Sequence, residues 1–246
     1  MNILISNDDG IKSNGLLELA KRLKEKHKVL VVAPDGNRSA SSHSLTITNS
    51  IKIKQNFDLE GCTAYNISGT PADCVKIAKL MLKDFNIDVV IAGINKGHNI
   101  GSDILYSGTV AIALEAAFFG HIAFAFSAYS LLESNFKLYS EYAEKIIDYL
   151  LPISKVGDVW NINFPATEDI KGIKITPLGK QYYTDEYVKV SDNDYVLQGE
   201  IMVHNKNEID CDVEWIKKGY ITIMPILFNK TDYIKVKELK DVCIQL

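Results

Sequence analysis

Short apolar runs alternate with segments of helical periodicity through the first two thirds of this 246-residue chain. Between the runs, leucine and alanine recur at helical spacing, as Leu16, Ala20 and Leu23 do. Strands that are apolar on both faces are typical of a mostly parallel sheet that is covered by helices on both sides. We therefore predict a three-layer, doubly wound α/β fold of the Rossmann-like kind. The predicted strands lie at residues 2–6, 28–33, 87–92, 122–127 and 158–163, with further β segments at 51–54 and 63–67.

The pattern changes after about residue 171. Tyr182, Tyr183, Tyr187 and Tyr195 stand among alternating polar residues, which predicts a long β-hairpin, followed by a strand at 220–224 and no strong helix before the last dozen residues. A lone hairpin is not stable in water, so we expect residues 180–215 to form an arm that packs on the core or on another subunit. We treat 1–246 as a single domain, with an α/β core at 1–178 and an extended hairpin and C-terminal segment at 179–246.

Composition excludes several classes of protein. The chain has 27 Lys and Arg against 31 Asp and Glu, and this acidic balance argues against binding to a nucleic-acid polymer. The four cysteines, Cys62, Cys74, Cys211 and Cys243, form no zinc or disulfide pattern, so we interpret them as buried hydrophobic residues in a reducing compartment. With no signal-like or membrane-spanning segment, we expect a cytoplasmic protein.

Polar clusters follow the predicted strands. Asp8 and Asp9 come after the first strand, Ser39 after the second, and Asn95 after the strand at 87–92. Ligands bind outside the carboxyl ends of the strands in a doubly wound sheet, so we expect these residues to converge. Two carboxylates with neutral oxygens suit a hard divalent cation such as Mg²⁺, Mn²⁺ or Ca²⁺ better than zinc. The alternative is a simple turn in which Asp8 or Asp9 caps the following helix.

A second predicted site, one for an anion, lies at the start of the apolar helix near residue 110. Ser107, Gly108 and Thr109 offer hydroxyl groups and free backbone N–H groups, which could seat an anion; ordinary N-capping by Ser107 or Thr109 is the alternative. His43 and His98 lie in neighbouring loops, where a lone histidine is more often a surface residue than a catalyst. Two roles stay open for the tyrosines of residues 182–195: stacking on a nucleobase, or packing at a subunit interface.

Five motifs follow one another along the chain: Asn7-Asp8-Asp9-Gly10, Ala33-Pro34 with Asn37-Arg38-Ser39, Ser68-Gly69-Thr70-Pro71-Ala72-Asp73, Gly93-Ile94-Asn95 with Gly97 and Asn99, and Tyr106-Ser107-Gly108-Thr109-Val110. In this order, and over essentially the whole chain, they resemble the SurE family, the survival-protein-E 5′/3′-nucleotidases.

The resemblance implies a metal site at Asp8, Asp9, Ser39 and Asn95, and phosphate contacts near Asn99 and at residues 107–109. It also implies an arm exchanged between the subunits of a homodimer or homotetramer. Two positions, Ala92 and Ala111, depart from the family pattern, which usually has Ser and Gly there.

The expected activity is hydrolysis of nucleoside 5′- and 3′-monophosphates to nucleoside and phosphate, assisted by one divalent cation, with Asp8 and Asp9 as the catalytic residues. A nucleotide-binding sensor without catalysis is the main alternative. A receiver-type phosphorylation switch, with Asp35 as acceptor, fits the chain length badly. Because the core loops show no acidic–amide pair that would read a base edge, we expect broad specificity.

Overall fold

The computed structural model describes residues 1–129, 135–201 and 210–240, except for the side chains of residues 56–58. The strands are β1 (Asn2–Ser6), β2 (Lys28–Pro34), β3 (Ile53–Leu59), β4 (Cys62–Ile67), β5 (Val89–Lys96), β6 (Ile122–Ala128), β7 (Val159–Phe164), β8 (Ile173–Ile175), β9 (Glu186–Lys189), β10 (Tyr195–Gln198) and β11 (Ile221–Ile226). The helices are α1 (Asn14–Leu23), α2 (Pro71–Met81), α3 (Gly108–Phe118), α4 (Asn135–Leu150), α5 (Asp212–Lys217) and α6 (Tyr233–Leu239), with short 3₁₀ turns at Gly101–Leu105 and Leu151–Ile153.

The predicted mostly parallel sheet is present. Its order is β3-β4-β2-β1-β5-β6-β7-β11-β8, and the pairs from β4 to β7 are all parallel. Helices α1 and α4 bury one face of this sheet, and helices α2 and α3 bury the other. The chain therefore forms three layers, as the continuous apolar strands indicated. The strand order reverses between β1 and β5, which is where a doubly wound sheet forms a ligand-binding crevice.

Two local features show how the sequence builds these layers. The side chain of Thr70 accepts a hydrogen bond from Asp73 N at 3.2 Å, and Thr70 N donates to Asp73 Oδ2 at 2.9 Å, which forms a capping box at the start of α2. Helix α1 lies against the end of β5 at Gly15, where an added Cβ would come within 2.0 Å of Ile94 O. Only glycine allows this approach.

The C-terminal segment contributes to the same sheet. Strand β11 lies between β7 and β8, antiparallel to the former and parallel to the latter. Strands β9 and β10 form the predicted hairpin, which is almost wholly exposed; residues 202–209 of the expected arm lie outside the described residues. Helix α5 was not predicted, because six residues are too few to show helical periodicity.

Helix α6 is exposed in the part of the chain that the structure describes. None of its residues is buried, and Tyr233, Ile234 and Leu239 are exposed. In the described part of the chain, no helix has the length and apolar character needed to cross a membrane. Cys62, Cys74 and Cys211 are buried, as expected, and Cys243 lies outside the described residues.

Candidate active site

The turn after β1 presents the two acidic residues at the point where the strand order reverses. The side chain of Asn7 fastens this turn by donating to Gly10 O at 3.0 Å and accepting from Gly10 N at 3.2 Å. Helix α1 has Ser13 as its N-cap, so Asp8 and Asp9 do not serve as its caps. The simple capping alternative is therefore not what the structure shows.

Hydrogen bonds join this turn to the two other predicted segments. Arg38 N donates to Asp8 O at 2.7 Å, which places the loop that carries Ser39 beside the turn. Lys96 N donates to Asp9 Oδ2 at 2.9 Å, which does the same for Asn95. The predicted convergence of residues far apart in sequence is thus present in the backbone.

The two neutral candidate ligands differ in environment. Ser39 is exposed, and its N–H donates to Asn37 Oδ1 at 2.7 Å. Asn95 is almost buried, and its Nδ2 donates to Gly97 O at 2.8 Å. Because the amide nitrogen of Asn95 is engaged in this way, its oxygen is the atom left to face a cation.

The start of α3 holds the carboxylate of Asp8. Thr109 Oγ1 donates to Asp8 Oδ1 at 2.5 Å, and the backbone N–H groups of Gly108 and Thr109 also lower the pKa of Asp8. A Cβ at Gly108 would come within 2.7 Å of Asp8 Cβ and 2.9 Å of Pro71 Cγ, so glycine is needed for this contact. The anion seat predicted at this helix is therefore filled by Asp8 of the same chain.

Ser107 fulfils the N-cap alternative. Its Oγ accepts from Val110 N at 3.0 Å, so it is the N-cap of α3, and its own hydroxyl hydrogen remains available to donate.

Burial destabilises the charged forms of both acidic side chains. It raises the pKa of Asp8, although the hydrogen bond from Thr109 opposes this. Burial also raises the pKa of Asp9 to about 6, helped by the charge of Asp8 and opposed by the Lys96 N–H. Among the ion pairs of the described residues, none includes Asp8 or Asp9.

The donor set fits a hard cation. Two adjacent carboxylates, one buried and one half-buried, that form no ion pair with a described residue are stabilised when a divalent ion binds between them. No group of three or more His, Cys, Asp or Glu side chains suited to a metal occurs in the described ranges. Asn95 and Ser39 supply neutral oxygen atoms at the same edge of the sheet, a ligand type that suits such a cation.

A buried polar network anchors the loop after β5. Asn99 N donates to Asn163 Oδ1 at 2.8 Å, and Asn99 O accepts from Asn161 Nδ2 at 2.8 Å. The side chain of Asn99 donates to Ser127 Oγ at 2.7 Å. Asn99, a predicted phosphate contact, thus has its amide nitrogen bonded within the protein.

Asp212 is a positioning residue that the sequence did not reveal. Its carboxylate is buried and accepts from Gly101 N at 2.9 Å and from Gly179 N at 2.7 Å, which ties the loop after β5 to the segment before the hairpin. Burial raises the pKa of this carboxyl group. No local pattern could have identified it, because its partners lie 111 and 33 residues away.

The two loop histidines have structural partners. His43 Nε2 lies 2.7 Å from Glu115 Oε2, and Glu115 also pairs with Lys76. His98 Nε2 donates to Phe164 O at 2.8 Å, and burial lowers the pKa of its ring. Asp35, considered as a phosphate acceptor, is exposed and pairs with Arg38 at 2.8 Å.

Comparisons with known proteins concern the family and the fold of this chain. The model of the family described as Survival protein SurE matches residues 3–185. The chain belongs to the SurE family. It is 41% identical to a Clostridium beijerinckii protein named 5′-nucleotidase SurE, over 95% of both chains. It is also 41% identical to a Clostridium botulinum protein of the same name, over 98% of this chain and 99% of that one.

A solved SurE structure confirms the fold. The crystal structure of the SurE protein from Aquifex aeolicus superposes with a TM-score of 0.82 at 34% sequence identity, and the match covers 97% of this chain and 98% of that chain. The two positions that depart from the SurE pattern, Ala92 and Ala111, are both buried.

Proposed function

We propose that this protein is a divalent-metal-dependent nucleotidase that hydrolyses nucleoside 5′- and 3′-monophosphates to nucleoside and phosphate. The observation that carries the proposal is the pair Asp8 and Asp9, held at the reversal of strand order with no ion pair to a described residue. The names of the clostridial relatives support the same activity.

Asp8, Asp9, Ser39 and Asn95 are the residues that would hold one Mg²⁺ or Mn²⁺ ion. When bound, such an ion polarises a phosphoryl oxygen and lowers the pKa of a coordinated water. Thr109 and the start of α3 keep the Asp8 carboxylate in one orientation, and the Lys96 N–H does the same for Asp9. The protein's contribution is thus a preorganised set of oxygen ligands.

The remaining donors are suited to the phosphate group. The Ser107 hydroxyl can donate to a non-bridging oxygen while its Oγ caps α3, and the loop of Asn99 lies at the same edge of the sheet. In the hydrolysis, a water oxygen bonds to phosphorus as the ester P–O bond breaks, and a proton passes to the nucleoside oxygen. Asp8 and Asp9 are the groups placed to orient that water.

The proposal includes assembly and location. Exposed apolar residues on the hairpin and on α6 support a homodimer or homotetramer formed by exchange of the arm. We also propose a cytoplasmic protein that binds neither membranes nor nucleic-acid polymers, in line with its net charge of −4.

Phosphate release tests the activity directly. We expect purified protein to release phosphate from AMP, CMP and p-nitrophenyl phosphate in Mg²⁺ or Mn²⁺, and to stop after exhaustive EDTA treatment. Asp9→Asn should lower kcat at least about 100-fold while leaving the circular dichroism spectrum unchanged. Full turnover in EDTA, or wild-type turnover by Asp9→Asn, would place the metal elsewhere. Nucleotide binding without any phosphate release would favour the sensor alternative.

A further inference from the structure

The Ser39 loop, residues 35–52, connects β2 with β3 and has no helix or strand of its own. Loops longer than about 12–15 residues without secondary structure are uncommon in compact domains, and they are usually functional. Within this loop, Ala40 and Ser42 have φ angles of 56° and 52°, which non-glycine residues adopt only where surrounding contacts hold them. The position of Ser39 therefore depends on how the loop is attached to the core.

Backbone hydrogen bonds attach the loop on both sides of Ser39. On one side, Arg38 N donates to Asp8 O at 2.7 Å. On the other side, Ser42 N donates to Tyr106 O at 3.0 Å, which joins the loop to the segment that precedes α3. Ser39 is thus held between two fixed points of the backbone.

His43 adds a side-chain contact to this attachment. Its Nε2 lies 2.7 Å from Glu115 Oε2, and since a carboxylate only accepts hydrogen bonds, this nitrogen carries the hydrogen and donates. Among residues 39–44, His43 is the only one whose side chain has a described hydrogen bond to another element. His43 and Ser107 also line one cavity of about 760 Å³, so the anchored loop and the candidate phosphate donor border the same space.

Glu115 is the only charged residue of α3, and its side chain is 7% exposed. Its second oxygen, Oε1, lies 2.8 Å from Lys76 Nζ of α2. Burial opposes the charge of Glu115, but the hydrogen bonds from His43 and Lys76 outweigh this effect and lower the pKa of its carboxyl group. Stability alone does not require a carboxylate here, since well-packed apolar residues in place of a buried ion pair are often at least as stable. The carboxylate is better explained by the loop that it holds.

Helix α3 thus reaches two of the candidate metal ligands. Thr109, in its first turn, holds the Asp8 carboxylate, and Glu115, further along the same helix, holds the Ser39 loop through His43. One helix therefore sets the positions of ligands that follow two different strands of the sheet.

We propose that Glu115 and His43 are positioning residues, which hold the loop so that Ser39 can bind the divalent cation. The proposal rests on the proposed function, because Ser39 belongs to the candidate metal site. It predicts that the pair changes metal affinity through Ser39 and not through the stability of the fold.

The test measures Mn²⁺ binding by calorimetry, without substrate, in variants of the full chain. We expect His43→Ala to weaken Mn²⁺ binding about 10-fold or more, which is the usual effect of removing a residue that supports a metal ligand. His43→Gln, whose amide can still donate to Glu115, should remain within about threefold of wild type. Lys76→Met is the matched control, because it removes the other partner of Glu115 and leaves the loop contact in place. It should lower Tm and keep Mn²⁺ binding within about threefold of wild type.

A double-mutant cycle separates action through Ser39 from a general effect. In a Ser39→Ala background, the additional change His43→Ala should leave Mn²⁺ binding within about twofold, since the ligand that it positions is already absent. Equal effects of His43→Ala in the two backgrounds would overturn the proposal, as would wild-type Mn²⁺ affinity in His43→Ala or an equal loss in Lys76→Met. If His43→Ala does not fold, His43→Phe decides by the same criteria, because it keeps a ring of similar size without a donor.

Phosphate release from AMP separates this proposal from the activity itself. Mn²⁺ binding that follows the expected pattern, in a protein that releases no phosphate, would keep the positioning pair and reject the nucleotidase. Phosphate release together with unchanged Mn²⁺ affinity in His43→Ala would do the reverse. A wild-type protein that does not bind Mn²⁺ would reject both.

Discussion

The Thr109 hydroxyl donates a hydrogen bond to Asp8 Oδ1 at 2.5 Å across 101 residues of sequence. Both residues are buried, and the first turn of α3 surrounds the same carboxylate. The helix start therefore acts on a side chain of the protein, which in turn is a candidate metal ligand. Through this contact α3 contributes to the site even where it touches no phosphate.

Thr109→Val should separate this positioning role from folding. Valine keeps the shape of threonine and loses the hydroxyl, so the Asp8 carboxylate loses a charge-assisted hydrogen bond. We expect kcat/KM to fall about 10-fold or more and the affinity for Mn²⁺ to weaken. Thr109→Ser, which retains the hydroxyl, should stay within about threefold of wild type. Equal activity of the valine and serine variants would show that the bond does not matter for the reaction.

Gly108→Ala should displace Asp8. Its Cβ would meet Asp8 and Pro71 at distances that real Cβ atoms do not adopt, so a shift of either the helix or the turn must follow. A misplacement of this kind can cost about 100-fold in kcat, with a loss of about 1–3 kcal/mol in the free energy of unfolding. Gly36→Ala is the control, because its Cβ would meet only Arg38 Nη1 at 3.8 Å. Steady-state kinetics and urea unfolding would measure both effects.

The raised pKa of Asp9 predicts that this group destabilises the metal-free protein to a degree that depends on pH. Since the pKa is about 6 when folded and lies near 3.8 when unfolded, the folded state binds the proton more tightly. The contribution of Asp9 to the free energy of unfolding therefore becomes more favourable as the pH falls from 7.5 to 4.5. In EDTA, Asp9→Asn should raise Tm at pH 7.5, and its advantage over wild type should shrink at pH 4.5. An advantage that grows toward low pH would contradict the raised pKa.

Shortening the hairpin should lower the oligomeric state. Thr184 N donates to Glu200 O at 2.9 Å, so a short glycine–serine linker can replace the residues between them without disturbing Asp212 or Tyr183. We expect the shortened protein to keep a folded α/β core and to show, by light scattering, a lower oligomeric state than the full chain. A full-length protein that is monomeric at micromolar concentration would refute the exchanged arm.

The enzyme should accept many bases. The candidate metal ligands and the Ser107 hydroxyl address the phosphate, which all nucleoside monophosphates share, so stacking and shape remain as the means of discrimination. These typically provide about 10–200-fold. We expect kcat/KM values for purine and pyrimidine monophosphates to lie within about two orders of magnitude of one another. A preference for one nucleotide above about 10⁴-fold would reveal a base-reading contact outside these groups.

Local patterns in the sequence were sufficient for most of the fold. The apolar runs of β1, β2, β5, β6 and β7, and the Thr70–Asp73 capping box, depend on residues that lie within one strand or one helical turn. The strand-end rule then placed Asp8, Asp9, Ser39 and Asn95 at one edge of the sheet, because parallel strands share a direction. Helix α5 escaped prediction because it is too short for periodicity.

Only the tertiary structure decided which groups touch. Several hydrogen bonds join residues that lie between 33 and 111 positions apart in the sequence. They link Thr109 with Asp8, Asp212 with Gly101 and Gly179, and Tyr183 with Asp103. No periodicity or spacing records such pairs, because they depend on how α3 and the C-terminal segment pack onto the sheet. Burial, which raises the pKa of Asp8 and Asp9, arises from that packing as well. The sequence determined which edge of the sheet carries the candidate site, and packing determined which of its groups bond to one another.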